Sequence, residues 1–190
     1  MTRSKTKPQK LSLPVDDSRD HIRGLATAPV TLVEYGDYEC PYCAQAYIII
    51  KKVQERLGSK LRFVFRNFPV TKTRPHAYQT ALAAEAAAAQ GMFWEMYDYL
   101  FEHGEADTDD SLRRSAAKLG LDLTRFNHDF LKGSYSSHIN EDILSANNSG
   151  VKSTPSFFIN GDLYDGKWDQ DSLLSALDEE SVFSWNQDNK

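Results

Sequence analysis

Cysteine is scarce in this chain, with two among 190 residues. A small secreted scaffold stapled by disulfides needs more of them, spaced farther apart, so stapling is excluded as the source of stability. Long apolar runs are missing too. No stretch approaches the roughly 20 residues that span a bilayer, so no membrane partner is expected. Positive charge is in deficit, 22 Lys and Arg against 27 Asp and Glu, for a net charge of −5. Phosphate recognition needs clustered Lys and Arg, which excludes nucleic acid as the main partner. The opening, Met1 to Lys10, is basic, but Asp16, Asp17, Arg19 and Asp20 stand where the apolar part of an export signal would follow. The expected location is therefore the cytoplasm, or an extracytoplasmic compartment if Met1 replaces a natural signal.

What is present suits one domain with a real core: 41% of the residues are hydrophobic and 12% aromatic. Residues 1 to about 28 are polar, without a period, and read as a tail and lead-in. Val30 to Tyr35 is β-branched and aromatic, a strand broken by Gly36 and Asp37. From Cys43 the apolar positions Ala46, Tyr47, Ile50, Val53 and Leu57 recur at helical spacing, and Gly58 suits the helix end. Leu61 to Arg66 is a second strand. Strand, helix, strand implies a parallel βαβ unit. Helices are expected at His76 to Gln90, where Ala77, Ala81, Ala84 and Ala88 permit close helix approach, and at Met92 to His103. Others are expected after a cap at Asp109 or Asp110, after Asp122, and from Tyr135 to Asn147. Trp94, Met96, Tyr97 and Leu100 are spaced like a core face. Glu105 to Asp110 reads as a solvated acidic loop. Ser156 to Ile159 and Asp162 to Tyr164 flank Asn160-Gly161, a hairpin signal because a type I′ turn needs positive φ at both positions. Asp171 to Leu177 reads as a last helix. The expected class is α/β. A mixed βαβ…ββα sheet at 29–180 carries a helical insertion at about 75–148, and 181–190 is a tail.

The chemistry concentrates in Cys40-Pro41-Tyr42-Cys43. Disulfide exchange needs a thiolate and a second sulfur close enough to resolve the mixed disulfide. Here the pair opens a helix after a strand. Pro41 suits the first helical position, where a missing N–H costs nothing. Amides of the first turn, including those of Tyr42 and Cys43, together with the positive helix end, favour an anion on Cys40. Cys43 lies one turn on, more buried, as the resolving partner. Glu39 opposes the anion, so a lowered but not extreme Cys40 pKa is expected. The alternatives are two ordinary buried thiols or half of a metal site. One C-x-x-C supplies two of the four ligands that zinc usually takes, and no His pair stands near it in sequence, so no metal is expected there. His76 opens an alanine-rich helix and is read as a surface or capping residue.

On these residues the chain resembles the thioredoxin superfamily, and within it the DsbA-like proteins, from about Asp20 to Leu177. The resemblance is carried by the Cys40–Cys43 motif after the strand, by Glu34 six residues before Cys40, by the long helical block, and by Gly150-Val151-Lys152-Ser153-Thr154-Pro155. Asn67-Phe68-Pro69 through Gln90-Gly91-Met92-Phe93-Trp94 also looks like this branch. The resemblance implies a thioredoxin fold with a helical insertion. It implies a cis Pro155 beside the dithiol, with the Thr154 backbone turned toward the sulfurs to pair with a peptide substrate. It also implies that Glu34 is a buried acid. Unpaired there, Glu34 would have a raised pKa and could move the Cys43 proton. Arg62 and Arg66 are the candidates for the basic partner often found near that acid.

The expected activity is thiol–disulfide exchange with protein or peptide thiols and disulfides, through Cys40 as nucleophile and Cys43 as resolver, without a bound cofactor. Glutathione is a possible co-substrate, and glutathione or a reductase would recycle the pair. Tyr42 between the cysteines and Glu39 before them suggest a couple of about −200 to −230 mV, which would run in the reducing, reshuffling or deglutathionylating direction. Two alternatives stay open: a glutathione-dependent transferase or isomerase, and a non-catalytic binding module bridging a metal between two chains.

Overall fold

A computed structural model describes residues 9–104 and 108–188. Five strands form one sheet, β1 His21–Arg23, β2 Val30–Gly36, β3 Leu61–Asn67, β4 Ser156–Ile159 and β5 Asp162–Tyr164, in the order β1-β3-β2-β4-β5. β2 and β3 are parallel and the other pairs antiparallel. Between β2 and β3 runs α1, Pro41–Leu57; this is the expected βαβ unit. The insertion holds α2 Ala77–Ala88, α3 Phe93–His103, α4 Asp109–Lys118, α5 Leu123–Lys132 and α6 Ser136–Asn148. Asn160 and Gly161 turn the final hairpin with φ of 48° and 87°, the two positive values that the Asn-Gly pair predicts.

Alternation along the strands divides the core. Val30 and Leu32 of β2, Phe63 and Phe65 of β3, and Phe157 and Ile159 of β4 face α1, the insertion and the last helix, α7 Gln170–Asp188. Val33, Tyr35, Val64 and Phe158 face the other way, against Ala146 of α6 and the lead-in residues Leu11 and Val15. α2 is packed almost all round: Ala77, Ala81, Ala83, Ala84, Ala86 and Ala87 are buried. Met96, Tyr97 and Leu100 lie in the main core as their spacing predicts, with Trp94 packed at its margin.

Four expectations are corrected. The lead-in is part of the fold: β1 adds an antiparallel edge to β3, and Lys10 bridges Asp162. A three-residue strand is too short to show a period, which is why the sequence hides it. The cap of α4 is Thr108, not Asp109 or Asp110; its side chain accepts from the Ser111 N–H and forms a capping box. Within the acidic loop, Glu105 to Asp107 lie outside the described residues, and Asp109 and Asp110 are already helical. The last helix does not stop at Leu177 but continues to Asp188, through the expected tail.

Candidate active site

β2 delivers the chain to the site. Gly36 ends the strand beside Phe65; a Cβ there would lie 2.3 Å from that ring and 3.2 Å from Glu34 Oε1, so only glycine fits. Asp37 then shapes the turn. Its Oδ1 accepts the Glu39 N–H at 2.9 Å, an Asx turn, and its backbone O accepts the Cys40 N–H at 3.0 Å. Its Oδ2 accepts from the Val70 N–H at 2.8 Å and from Arg74 Nη1 at 2.9 Å. This buried carboxylate ties the motif to the loop after β3. Sequence reasoning treated Asp37 only as a strand breaker; its turn chemistry was readable, but its tie to Arg74 was not.

Cys40 is the N-cap of α1 and Pro41 its first residue. Tyr42 is 58% exposed, and Pro41 is exposed beside it. Both cysteines are free thiols, 1% and 0% exposed, so solvent access does not separate them. Hydrogen bonding does. The Cys43 thiol donates toward Cys40, and bonds from Thr154 and from the Cys43 and Tyr42 amides add to it, against the cost of burial; together they hold Cys40 at about 5. Burial pushes the Cys43 thiol far up, and its bond to Cys40 and the nearby Glu34 push it further. The first-turn amides thus act as the motif predicts, and the fall is steeper than expected. Burial and the Asp37 charge raise the pKa of Glu39 beside Cys40.

The Thr154–Pro155 peptide bond is cis. The Thr154 carbonyl lies 3.3 Å from Cys40 Sγ and accepts from the thiol. The Thr154 hydroxyl is buried and has no partner among the described residues beside the protonated thiol; it is the side-chain donor that favours the Cys40 thiolate.

Glu34 is 1% exposed, and neither carboxylate oxygen has a hydrogen bond among the described residues. Burial, and then the Cys40 charge, raise it to about 8. The hydroxyls of Tyr38 and Tyr97, electrostatically coupled to it, are also buried and unpartnered. Neither candidate base reaches it. Register places Arg62 opposite Thr31 and Arg66 opposite Tyr35, on the other face of the sheet from Glu34. Arg66 pairs with Asp20 at 2.9 Å, and Arg62 with Asp17 at 2.7 Å. His76 is the N-cap residue of α2 and makes no side-chain cap bond; its backbone N–H meets the carboxylate of Glu39, the residue before Cys40.

A strand leading to a dithiol at a helix start, with a proline loop against the sulfur, is joined by a decisive match: the thioredoxin family profile covers residues 16–179. The chain belongs to the thioredoxin family. Among solved thioredoxin-fold proteins, it superposes on a thioredoxin-like oxidoreductase from Silicibacter pomeroyi with a TM-score of 0.76, at 28% identity, covering 86% of this chain and 92% of that one. The fold is also that of Wolbachia pipientis alpha-DsbA1, with a TM-score of 0.79 at 20% identity over 93% and 97% of the two chains. Bacillus subtilis BdbD gives 0.75 at 22% identity over 92% and 97%. The helical insertion of this thioredoxin-family chain is thus shared with DsbA-like proteins. Curated relatives include Na(+)/H(+) antiporter NhaA 3 of Salinispora tropica, 42% identical over 88% of this chain, and Na(+)/H(+) antiporter NhaA 1 of Salinispora arenicola, 44% identical over the same share. The chain spans 26% of the length of those two relatives. Among the described residues, no helix is long and apolar enough to cross a membrane.

Proposed function

We propose that this chain is a thiol–disulfide oxidoreductase that exchanges disulfides with protein or peptide substrates. The observation that carries the reading is the split between two adjacent thiols, one held near 5 and the other pushed far up. At neutral pH that gives one standing nucleophile and one protonated reserve, the division of labour that dithiol exchange requires.

Cys40 thiolate attacks one sulfur of a substrate disulfide. A Cys40–substrate S–S bond forms, and the other substrate sulfur leaves as a thiolate that takes up a proton. Cys43 then loses its proton and attacks Cys40, closing the Cys40–Cys43 disulfide and releasing the second substrate thiolate. The substrate is reduced by two electrons and the dithiol oxidised by two; oxidation of a substrate runs the same steps backwards. Glu34 is suited to receive the Cys43 proton. The Cys40 charge that helps raise its pKa is gone in the mixed disulfide, so its carboxylate form becomes more accessible at the step that needs a base. The exposed Pro41 and Tyr42, with Ile48 at 56% exposure, offer an apolar surface for the substrate chain. The backbone at Thr154 and Pro155 gives it polar partners without strong sequence preference.

Redox direction follows from how well the fold stabilises the reduced form. Tyr42 argues for a modest potential, while a thiolate held near 5 raises it. We place the couple at about −180 mV, the value of a disulfide isomerase, which favours reshuffling over net reduction. In a cytoplasm, glutathione or a reductase would restore the dithiol. Equilibration in glutathione buffers, with Cys40–Cys43 oxidation followed by mass, tests both points. No interconversion at any ratio would end the enzymatic reading; a potential near −270 mV would make the chain a reductant. Cys43→Ser should accumulate mixed disulfides on Cys40, and better trapping by Cys40→Ser would reverse the two roles.

A further inference from the structure

Away from the dithiol, at the β1 edge of the sheet, three side chains from three elements converge. His21 of β1 places Nε2 2.8 Å from Glu85 Oε1, and His138 of α6 places Nδ1 2.9 Å from Glu85 Oε2. All three donor atoms lie within 4.8 Å of one another. We propose that His21, Glu85 and His138 form a binding site for one divalent transition-metal ion of the zinc class.

The donor set fits that chemistry. Two imidazole nitrogens and one carboxylate are the three-ligand set of open zinc sites, in which water completes a tetrahedron. Donors about 2.0–2.1 Å from a tetrahedral ion stand about 3.4 Å apart, so the 2.8 Å pair of His21 Nε2 and Glu85 Oε1 must open by about half an ångström while the two ring nitrogens, now within 4.8 Å, close on a common ion. The two rings can supply that movement, being 14% and 19% exposed at the side chain, and solvent reaches the cluster along them. Glu85 itself is 3% exposed, so the anion that attracts the ion is fixed and shielded.

The surroundings hold the donors in place. The His21 ring stacks on Phe93 with centroids 3.4 Å apart, which sets the direction of Nε2. Asn67 Nδ2 donates to Glu85 Oε1 at 2.7 Å and orients the carboxylate, as outer partners of metal ligands do. The Asn67 side-chain Oδ1 is buried and has no partner among the described residues, a polar group left over beside the cluster. For the ion to bind, each facing ring nitrogen must present its lone pair: a neutral imidazole does so by carrying its proton on the other ring nitrogen, and an imidazolium by releasing one proton to solvent, so two N–H···O contacts are exchanged for metal–nitrogen bonds. Charge nearby is balanced: Arg19 pairs with Asp142, the charged pair next to His138. No sequence spacing announces the site, because Glu85 is 64 residues from His21 and 53 from His138.

A dithiol also binds zinc, so the test uses the full chain carrying Cys40→Ser and Cys43→Ser, which keeps it independent of any redox activity. Calorimetric titration with zinc chloride should show one ion per chain, with His138→Ala weakening binding at least about tenfold, the loss that removing even an outer partner of a metal ligand typically causes. In parallel, zinc should shift the ring signals of His21 and His138 in nuclear magnetic resonance spectra and leave those of His76, His103 and His128 in place. That second readout needs no cluster variant and holds if His138→Ala fails to fold. Binding of less than one ion, unchanged affinity in a folded His138→Ala, or shifts confined to the other three histidines would overturn the site and leave the cluster as a hydrogen-bonded cross-link.

Discussion

Glu34 and Glu85 are both carboxylates almost wholly shielded from water, at 1% and 3% exposure, and their surroundings treat them in opposite ways. Burial alone pushes each pKa up. At Glu85, hydrogen bonds from His138 and His21 overcome that and bring it down to about 2. At Glu34 nothing opposes it, and the carboxyl rises to about 8. The same contrast divides the two faces of the sheet. Behind it, Arg66 is fully buried yet meets Asp20, the Tyr35 hydroxyl and the carbonyls of Leu13 and Pro14. In front, Glu34, Tyr38 and Tyr97 keep unpaired polar atoms around the sulfurs. A buried polar group without a partner costs stability, so a cluster of them is tolerated where chemistry needs a proton to come and go; satisfied ones hold the fold.

Four experiments can break or sharpen that contrast. The largest effect is expected at the front: Cys40→Ser should bring disulfide exchange down to the uncatalysed background, measured with a fluorescent peptide disulfide. Arg66→Ala acts at the back. It removes the bidentate partner of the buried Asp20, which keeps only Arg19 and the Asp16 N–H, and should cost about 3 kcal/mol in denaturant unfolding, the low end for breaking a buried pair. The pH profile of Cys40 alkylation should not move; if it does, the two faces are energetically coupled and the contrast fails.

Glu34→Gln should change stability in a pH-dependent way. The carboxyl titrates near 4.5 unfolded and about 8 folded, so the folded chain binds more protons between those values. Stability conferred by the protonated form is therefore complete below pH 4.5 and is lost as pH rises toward 8. The loss is roughly 3–5 kcal/mol before water entry reduces it. Cys40 has the opposite sign: its folded value is depressed from 9.0 to about 5, so it adds stability as pH rises through that interval. The Glu34 slope is thus read most cleanly with Cys40→Ser in both proteins, where Gln should flatten it. A slope that persists with Gln would show that Glu34 is not the group titrating. The smallest effect is at Thr154→Val, which removes one donor to the thiolate. Iodoacetamide alkylation of Cys40 should keep its sigmoid and move its midpoint up from about 5, by about one pH unit.

Local chemistry was legible from the residues themselves. A proline after Cys40, helical spacing from Cys43 and alternating apolar residues in β2 and β3 are dictated by covalent geometry and period, and these fixed the βαβ unit and the position of the sulfurs. The Asn160-Gly161 hairpin was equally plain, because only a few residues accept two positive φ values. Glu34 stood out as a charge in an apolar strand. Whether anything neutralised it depended on which face Arg62 and Arg66 took, and that was settled by strand register across some thirty residues of chain. Asp37 gripping Arg74, β1 closing the edge of the sheet, and two histidines meeting Glu85 were decided only when distant segments packed together. Burial and pairing are properties of three-dimensional neighbours, and they turn a carboxyl group into a structural tie or a proton carrier.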